Sequence, residues 1–123
     1  MPQKPKAQLN NFLVETFNLI LLGEERALQR EGVRDLSMRE MHVISSVALL
    51  SAEGKNTMSN IADDLFISAG ALTTAVNVLI SKGYLERVRS ESDRRKVLVS
   101  LSEKGESVLA KHDKFHEMLV DHV

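Results

Sequence analysis

The chain has 123 residues, 43% hydrophobic and 27% charged, with a formal net charge of −1 and no cysteine. This length suits a single domain, 1–123, and the composition excludes a collagen-like or wholly disordered chain. Without cysteine there is no disulfide, thiol nucleophile or cysteine zinc site, and no stretch approaches the roughly 20 apolar residues that span a bilayer. A cytoplasmic protein without membrane contact is the default expectation.

Met1 to Ala7 holds both prolines and reads as a disordered arm. From Leu9, the three-and-four spacing of Leu9, Phe12, Leu13, Phe17, Ile20, Leu21 and Leu28 predicts a helix over 9–31 with one buried stripe. Ser37-Met38-Arg39-Glu40 forms a capping box that starts a second helix, with Met41, Ile44, Val47 and Ala48 facing inward until Gly54 breaks the period. Thr57 caps a short third helix through Leu65, with Met58, Ile61, Ala62 and Leu65 inward. Ser68 caps a fourth, whose inward positions are Leu72, Ala75, Val76, Leu79 and Ile80; Lys82 and Gly83 close it. Tyr84 to Arg89 and Lys96 to Leu101 then alternate in polarity around a charged tip, the pattern of a β-hairpin. Ser102 caps a final helix with Val108, Leu109, Phe115, Leu119 and Val120 on its apolar side. Asp121-His122-Val123 carries no stop signal, so that helix is read as cut short.

Charge is unevenly spread. Lys82 to Lys96 carries six basic side chains against three acidic ones, a net +3, which leaves −4 on the rest of the chain. A basic hairpin beside two short helices joined by a tight turn is the order of a winged helix-turn-helix, an α+β, mainly helical fold. In that arrangement the second helix of the pair enters the major groove and the hairpin reaches a neighbouring minor groove. If Leu72, Val76 and Leu79 face the core, then Ser68, Ala69, Gly70, Thr73, Thr74 and Asn77 face outward. They are small or polar enough for the backbone to approach base edges, with Thr methyls against thymine and Asn77 on adenine. Arg94 and Arg95 suit the narrow minor groove of A·T-rich DNA, Asp93 can brace one of them, and Arg87 and Arg89 suit phosphates. Either face alone could be plain solvated surface; their adjacency favours duplex DNA.

Ile61-Ala62-Asp63-Asp64-Leu65, Leu72-Thr73 with Leu79, Lys82-Gly83-Tyr84-Leu85-Glu86-Arg87, Asp93-Arg94-Arg95 and Leu101-Ser102-Glu103-Lys104-Gly105 together resemble the MarR family of transcription regulators. The resemblance implies a homodimeric repressor on pseudo-palindromic DNA. It divides the chain into a winged helix-turn-helix at 37–101 and N- and C-terminal dimerisation helices at 9–31 and 102–123. Many members carry Arg where this chain has Thr74, which shifts the expected readout toward small contacts and the wing. Glu24-Glu25, Ser37 to Ile44, Leu72-Thr73-Thr74, the segment Gly83 to Glu91, and His112 with Phe115-His116 resemble the fatty-acid-biosynthesis repressors within that family. Those imply a long-chain acyl group on acyl carrier protein as co-repressor, and no cofactor.

A rival effector rests on histidine spacing. His112 and His116, four apart on one helix, align two imidazoles for a metal, and Glu24 and His42 complete a three-nitrogen, one-oxygen zinc set if their helices pack nearby. The set also resembles a zinc-sensing branch of the family. Enzymatic readings lack support: there is no P-loop, GxGxxG or GxSxG, and the neighbours Asp63-Asp64 and Glu24-Glu25 point different ways on a helix. A non-enzymatic alternative is a winged helix that docks a partner protein.

Overall fold

Hydroxyl side chains set the starts of four of the five helices in the computed structural model, which describes residues 5–93 and 95–121. Ser37 and Glu40 form the capping box at the head of α2 (Met38–Ala52), the Ser37 amide donating to Glu40 Oε1 at 2.9 Å and the Glu40 amide to Ser37 Oγ at 3.1 Å. Thr57 caps α3 (Met58–Leu65), Ser68 caps α4 (Ala69–Ser81), and Ser102 Oγ accepts from the Gly105 amide at 3.0 Å at the start of α5 (Glu103–Asp121). Each hydroxyl satisfies an amide that the helix itself leaves unpaired.

α1 (Pro5–Arg30) corrects two expectations. It begins at Pro5, so residues 5–7 are helical rather than part of a disordered arm; proline fits a first turn, where its missing N–H removes no helical bond. Its stripe is not buried either: Leu9, Phe12, Leu13 and Phe17 are 56–64% exposed, Ile20 and Leu21 are half-buried, and only Leu28 lies in the core. The apolar face of the amino-terminal half of α1 is thus left largely open to solvent among the described residues. At the other end of the chain Leu119 and Val120, read as inward, are exposed on the last turn of α5.

The core is built where the remaining elements converge. Met41, Ile44 and Val47 of α2, Ile61 of α3, Leu72, Val76 and Leu79 of α4 and Val99 of the hairpin are fully buried, with Leu28 and Val108 bringing in α1 and α5. α3 and α4 change direction by 107° at Phe66 to Ser68. Phe66 takes the left-handed conformation (φ 56°) that lets α3 stop. β1 (Leu85–Arg89) and β2 (Val97–Leu101) form an antiparallel pair with Leu85 opposite Leu101 and Arg87 opposite Val99. The root of the hairpin is anchored by buried Asn56, whose Nδ2 donates to the Val99 carbonyl at 2.7 Å while its own carbonyl accepts from the Val99 amide at 3.0 Å.

A polar joint ties the helix-turn-helix to α5. The Tyr84 hydroxyl donates to Asp35 Oδ1 at 2.5 Å, Lys82 Nζ bridges the Asp35 carbonyl (2.5 Å) and the Glu40 carboxylate (3.0 Å), and Lys104 Nζ lies 4.3 Å from the Tyr84 ring centroid. Burial and the Asp35 carboxylate push the Tyr84 phenol well above its ordinary value. The Ser102 amide donates to the Tyr84 carbonyl (3.0 Å) and its hydroxyl to the Gly83 carbonyl (2.5 Å). α5 starts so close to this strand that a Cβ on Gly105 would stand 2.2 Å from the Tyr84 carbonyl oxygen.

Candidate nucleic-acid interface

The outward face of α4 is set by its buried one. With Leu72, Val76 and Leu79 in the core, Ser68, Ala69, Gly70, Thr73, Thr74 and Asn77 are all exposed. Among the described residues nothing lies within 4 Å of a Cβ placed on Gly70, and Gly70 itself is exposed. Thr73 Oγ1 donates to the Ala69 carbonyl at 2.9 Å and Thr74 Oγ1 to the Gly70 carbonyl at 3.2 Å. Their hydroxyl protons are thus turned back into the helix, and what each side chain can offer a groove is its methyl group and oxygen lone pairs.

The wing lies beside this face. Alternation along β1 puts Leu85, Arg87 and Arg89 on one side of the strand, toward α4. Leu85 is buried there while Arg87 and Arg89 are exposed. Arg87 Nη2 donates to Asn77 Oδ1, a direct tie between wing and recognition helix that sequence reasoning had not joined. At the tip, Asp93 Oδ1 accepts from the Arg95 main-chain amide at 3.0 Å and the Asp93 carbonyl from the Lys96 amide at 3.0 Å, so this carboxylate shapes the turn. Arg95 is exposed; Arg94 lies outside the described residues.

The four candidate metal ligands are brought together. Glu24 is buried in α1, and its Oε2 lies 2.5 Å from His112 Nε2, 3.4 Å from His116 Nε2 and 3.5 Å from His42 Nε2. His112 is buried, its Nδ1 without a hydrogen-bond partner among the described residues, whereas the His42 and His116 side chains are about two-fifths exposed. Burial acts to raise the Glu24 carboxyl, but the His112 hydrogen bond and the charges of His112, His116 and His42 outweigh it and hold it below its ordinary value. Two clefts lie on the described surface, the first of them reaching His42. One of about 540 Å³ runs from Arg39 and His42 along Val43, Leu65 and Ile67 to Thr74. Another of about 470 Å³ between α1 and α5 is lined by Ala27, Phe115, Met118 and Leu119 together with Arg30, Glu31, Lys111 and Lys114.

A family model described as transcriptional regulator SarA/Rot matches residues 31–112, which run from the end of α1 through the helix-turn-helix and wing into α5. The chain belongs to this family. The SarA/Rot match agrees with the fold of solved neighbours. FabT of Streptococcus pneumoniae, solved in complex with DNA, superposes with a TM-score of 0.84 at 36% identity over 95% of this chain and 80% of that one. A mutant MarR from E. coli shares the fold at a TM-score of 0.69 and 22% identity, covering all of this chain and 88% of that one. Among curated proteins, the uncharacterized HTH-type regulator YwhA of Bacillus subtilis (strain 168) is 33% identical over 73 residues, 59% of this chain. The chain spans about half the length of this relative. This SarA/Rot member is thus, by family, a transcriptional regulator with the MarR-like winged-helix fold. Among its described residues no single helix is long and apolar enough to cross a membrane.

Proposed function

We propose that the chain works in the cytoplasm as a homodimer that binds pseudo-palindromic, A·T-rich duplex DNA and represses genes of fatty acid biosynthesis. Long-chain acyl groups on acyl carrier protein serve as co-repressor. The observation that carries the DNA reading is the junction of the exposed α4 face with the basic wing through Arg87 and Asn77. One surface thereby combines small groove-facing residues with cations suited to phosphates and to the minor groove. FabT, seen bound to DNA, supports it. The apolar faces of α1 at Leu9 to Phe17 and of α5 at Met118 to Val120 support a dimer that covers them. The cleft between α1 and α5, with Ala27, Phe115, Met118 and Leu119 in its lining, supports a long acyl chain.

The test is a salt titration of binding to operator DNA. Arg94→Ala with Arg95→Ala weakens binding and lowers the salt slope by about one unit for each phosphate-like interaction removed. Unchanged affinity at moderate salt refutes the assignment of the wing. Long-chain acyl carrier protein added to the same assay tightens binding; no response refutes that co-repressor.

A second reading, a zinc-responsive regulator, is favoured by the convergence at Glu24. Tetrahedral zinc with bonds of 2.0–2.1 Å sets its ligand atoms roughly 3.3 Å apart. The contacts of Glu24 Oε2 with His116 (3.4 Å) and His42 (3.5 Å) and of His116 with His112 (3.1 Å) suit that spacing. The 2.5 Å contact of His112 with Glu24 has to open, and the ligand atoms of Glu24, His42 and His112 all lie within 4.8 Å of one another. Glu24, His42 and His112 therefore fit an ion that would crosslink α1, α2 and α5, with His116 beside Glu24 and His112 as a fourth candidate. Zinc that changes operator affinity in wild type but not in His116→Ala establishes this reading in place of the acyl one.

A further inference from the structure

Arg87 and Asn77 sit ten residues apart, one on the wing and one on the recognition helix, and their hydrogen bond fixes more than a distance. Arginine has only donors, so the Asn77 side chain must turn its oxygen toward Arg87, and the amide nitrogen becomes the other arm of the fork. A free asparagine can read adenine with both arms, accepting from N6 and donating to N7. Here the accepting arm is already engaged, and the guanidinium beside it repels the approach of a second N–H donor. The arm left to the groove is a pure donor.

We infer that Arg87 is a specificity-determining residue that acts through Asn77, holding its amide so that the protein prefers a base edge presenting only acceptors. In the major groove those edges are guanine, with O6 and N7, and the O4 of thymine; adenine and cytosine present an amino donor. The pair also makes the reading of one base conditional on where the wing lies. Displacing β1 from α4 releases the amide to rotate, and the preference at that base changes with it. This rests on the DNA-binding reading above and goes beyond it by assigning a rule of base choice.

The experiment is selection from a duplex DNA library with a randomised core of about 20 base pairs, using the full chain as wild type, Asn77→Ala, Arg87→Ala and Arg87→Lys. Both side chains are exposed, and thermal melts confirm that each variant is folded. Asn77→Ala locates the base pair concerned as the position whose preference collapses. At that position wild type selects guanine or thymine, and Arg87→Ala shifts the ratio of adenine to guanine upward by on the order of tenfold, within the worth of a bidentate Asn–adenine pair. Arg87→Lys, still a pure donor, keeps the wild-type choice. If Arg87→Ala weakens all duplexes alike and leaves the preference unchanged, Arg87 is only a phosphate contact and the inference is overturned. It is overturned equally if Asn77→Ala changes no base preference. A wild-type protein that enriches no duplex at all overturns the DNA-binding reading itself, a distinct result.

Discussion

Gly105→Ala sets two physical effects against each other. In an exposed helix, replacing glycine by alanine stabilises by about 1 kcal/mol, because the backbone loses less freedom on folding. Gly105 is in the first turn of α5, so helix propensity alone forecasts a gain. The structure forecasts a loss: the added methyl would stand 2.2 Å from the Tyr84 carbonyl oxygen and 3.3 Å from Leu101 Cβ, and the first of these contacts is to rigid backbone. Relieving it requires α5 and β1 to part by about 1 Å, a strain of about 1–3 kcal/mol by the measure of overpacked cores. The shift also stretches the bond from the Ser102 amide to the Tyr84 carbonyl, worth a further 0.5–1.5 kcal/mol or so. Net of propensity, the variant should lose about 1–3 kcal/mol. Urea denaturation followed by circular dichroism, at fixed protein concentration because dimerisation would add stability, measures it. Gly70→Ala is the control, since no atom lies within 4 Å of its added methyl. It should be neutral or stabilising by up to about 1 kcal/mol while weakening operator binding. A Gly105→Ala protein as stable as wild type would refute the close approach of α5 to Tyr84.

The apolar face of α1 should hold the dimer together: Phe12→Asp with Phe17→Asp yields monomers by light scattering with the winged-helix core still folded, and a dimer that persists refutes that role for the helix. Asp35 gives a pH prediction. The hydrogen bond from Tyr84 holds its carboxyl below the ordinary value, so as pH falls below about 4 the unfolded chain takes up this proton first. The stability that Asp35 contributes is therefore present above about pH 4 and lost on acidification through the folded-state value. The gap in urea midpoint between wild type and Asp35→Asn should be widest near pH 6 and close toward pH 3; a constant gap contradicts the assignment.

What the sequence made legible is local. Ser37, Thr57 and Ser68 marked their helices because a cap acts over three residues, and the alternation in Tyr84–Arg89 and Lys96–Leu101 gave a hairpin that matches β1 and β2 to within a residue at each start. The stripe of α1 has the expected period in an unexpected environment, since periodicity reports that a face is apolar and says nothing about what lies against it. The His112–His116 pair is visible as an i, i+4 spacing, and its meeting with Glu24 and His42 follows once α1, α2 and α5 pack as supposed. Arg87 and Asn77 each fall on the expected DNA face, but their hydrogen bond could not be foreseen. It joins a strand to a helix, and no regular spacing encodes such a pair.

The joint at Tyr84 bears on how the molecule breathes. Its bonds tie the α1–α2 loop at Asp35, the head of α2 at Glu40, the end of α4 at Lys82, the root of β1 and the start of α5 into one knot. To open any one of these segments is to disrupt bonds made by the others, which is the condition for cooperative local unfolding. Amide protons at Tyr84 and Ser102 should therefore exchange with solvent through a single shared opening event. The bonds of Ser90, Asp93 and Arg95 with their own neighbours in the wing are separate from the knot and can open without loosening it.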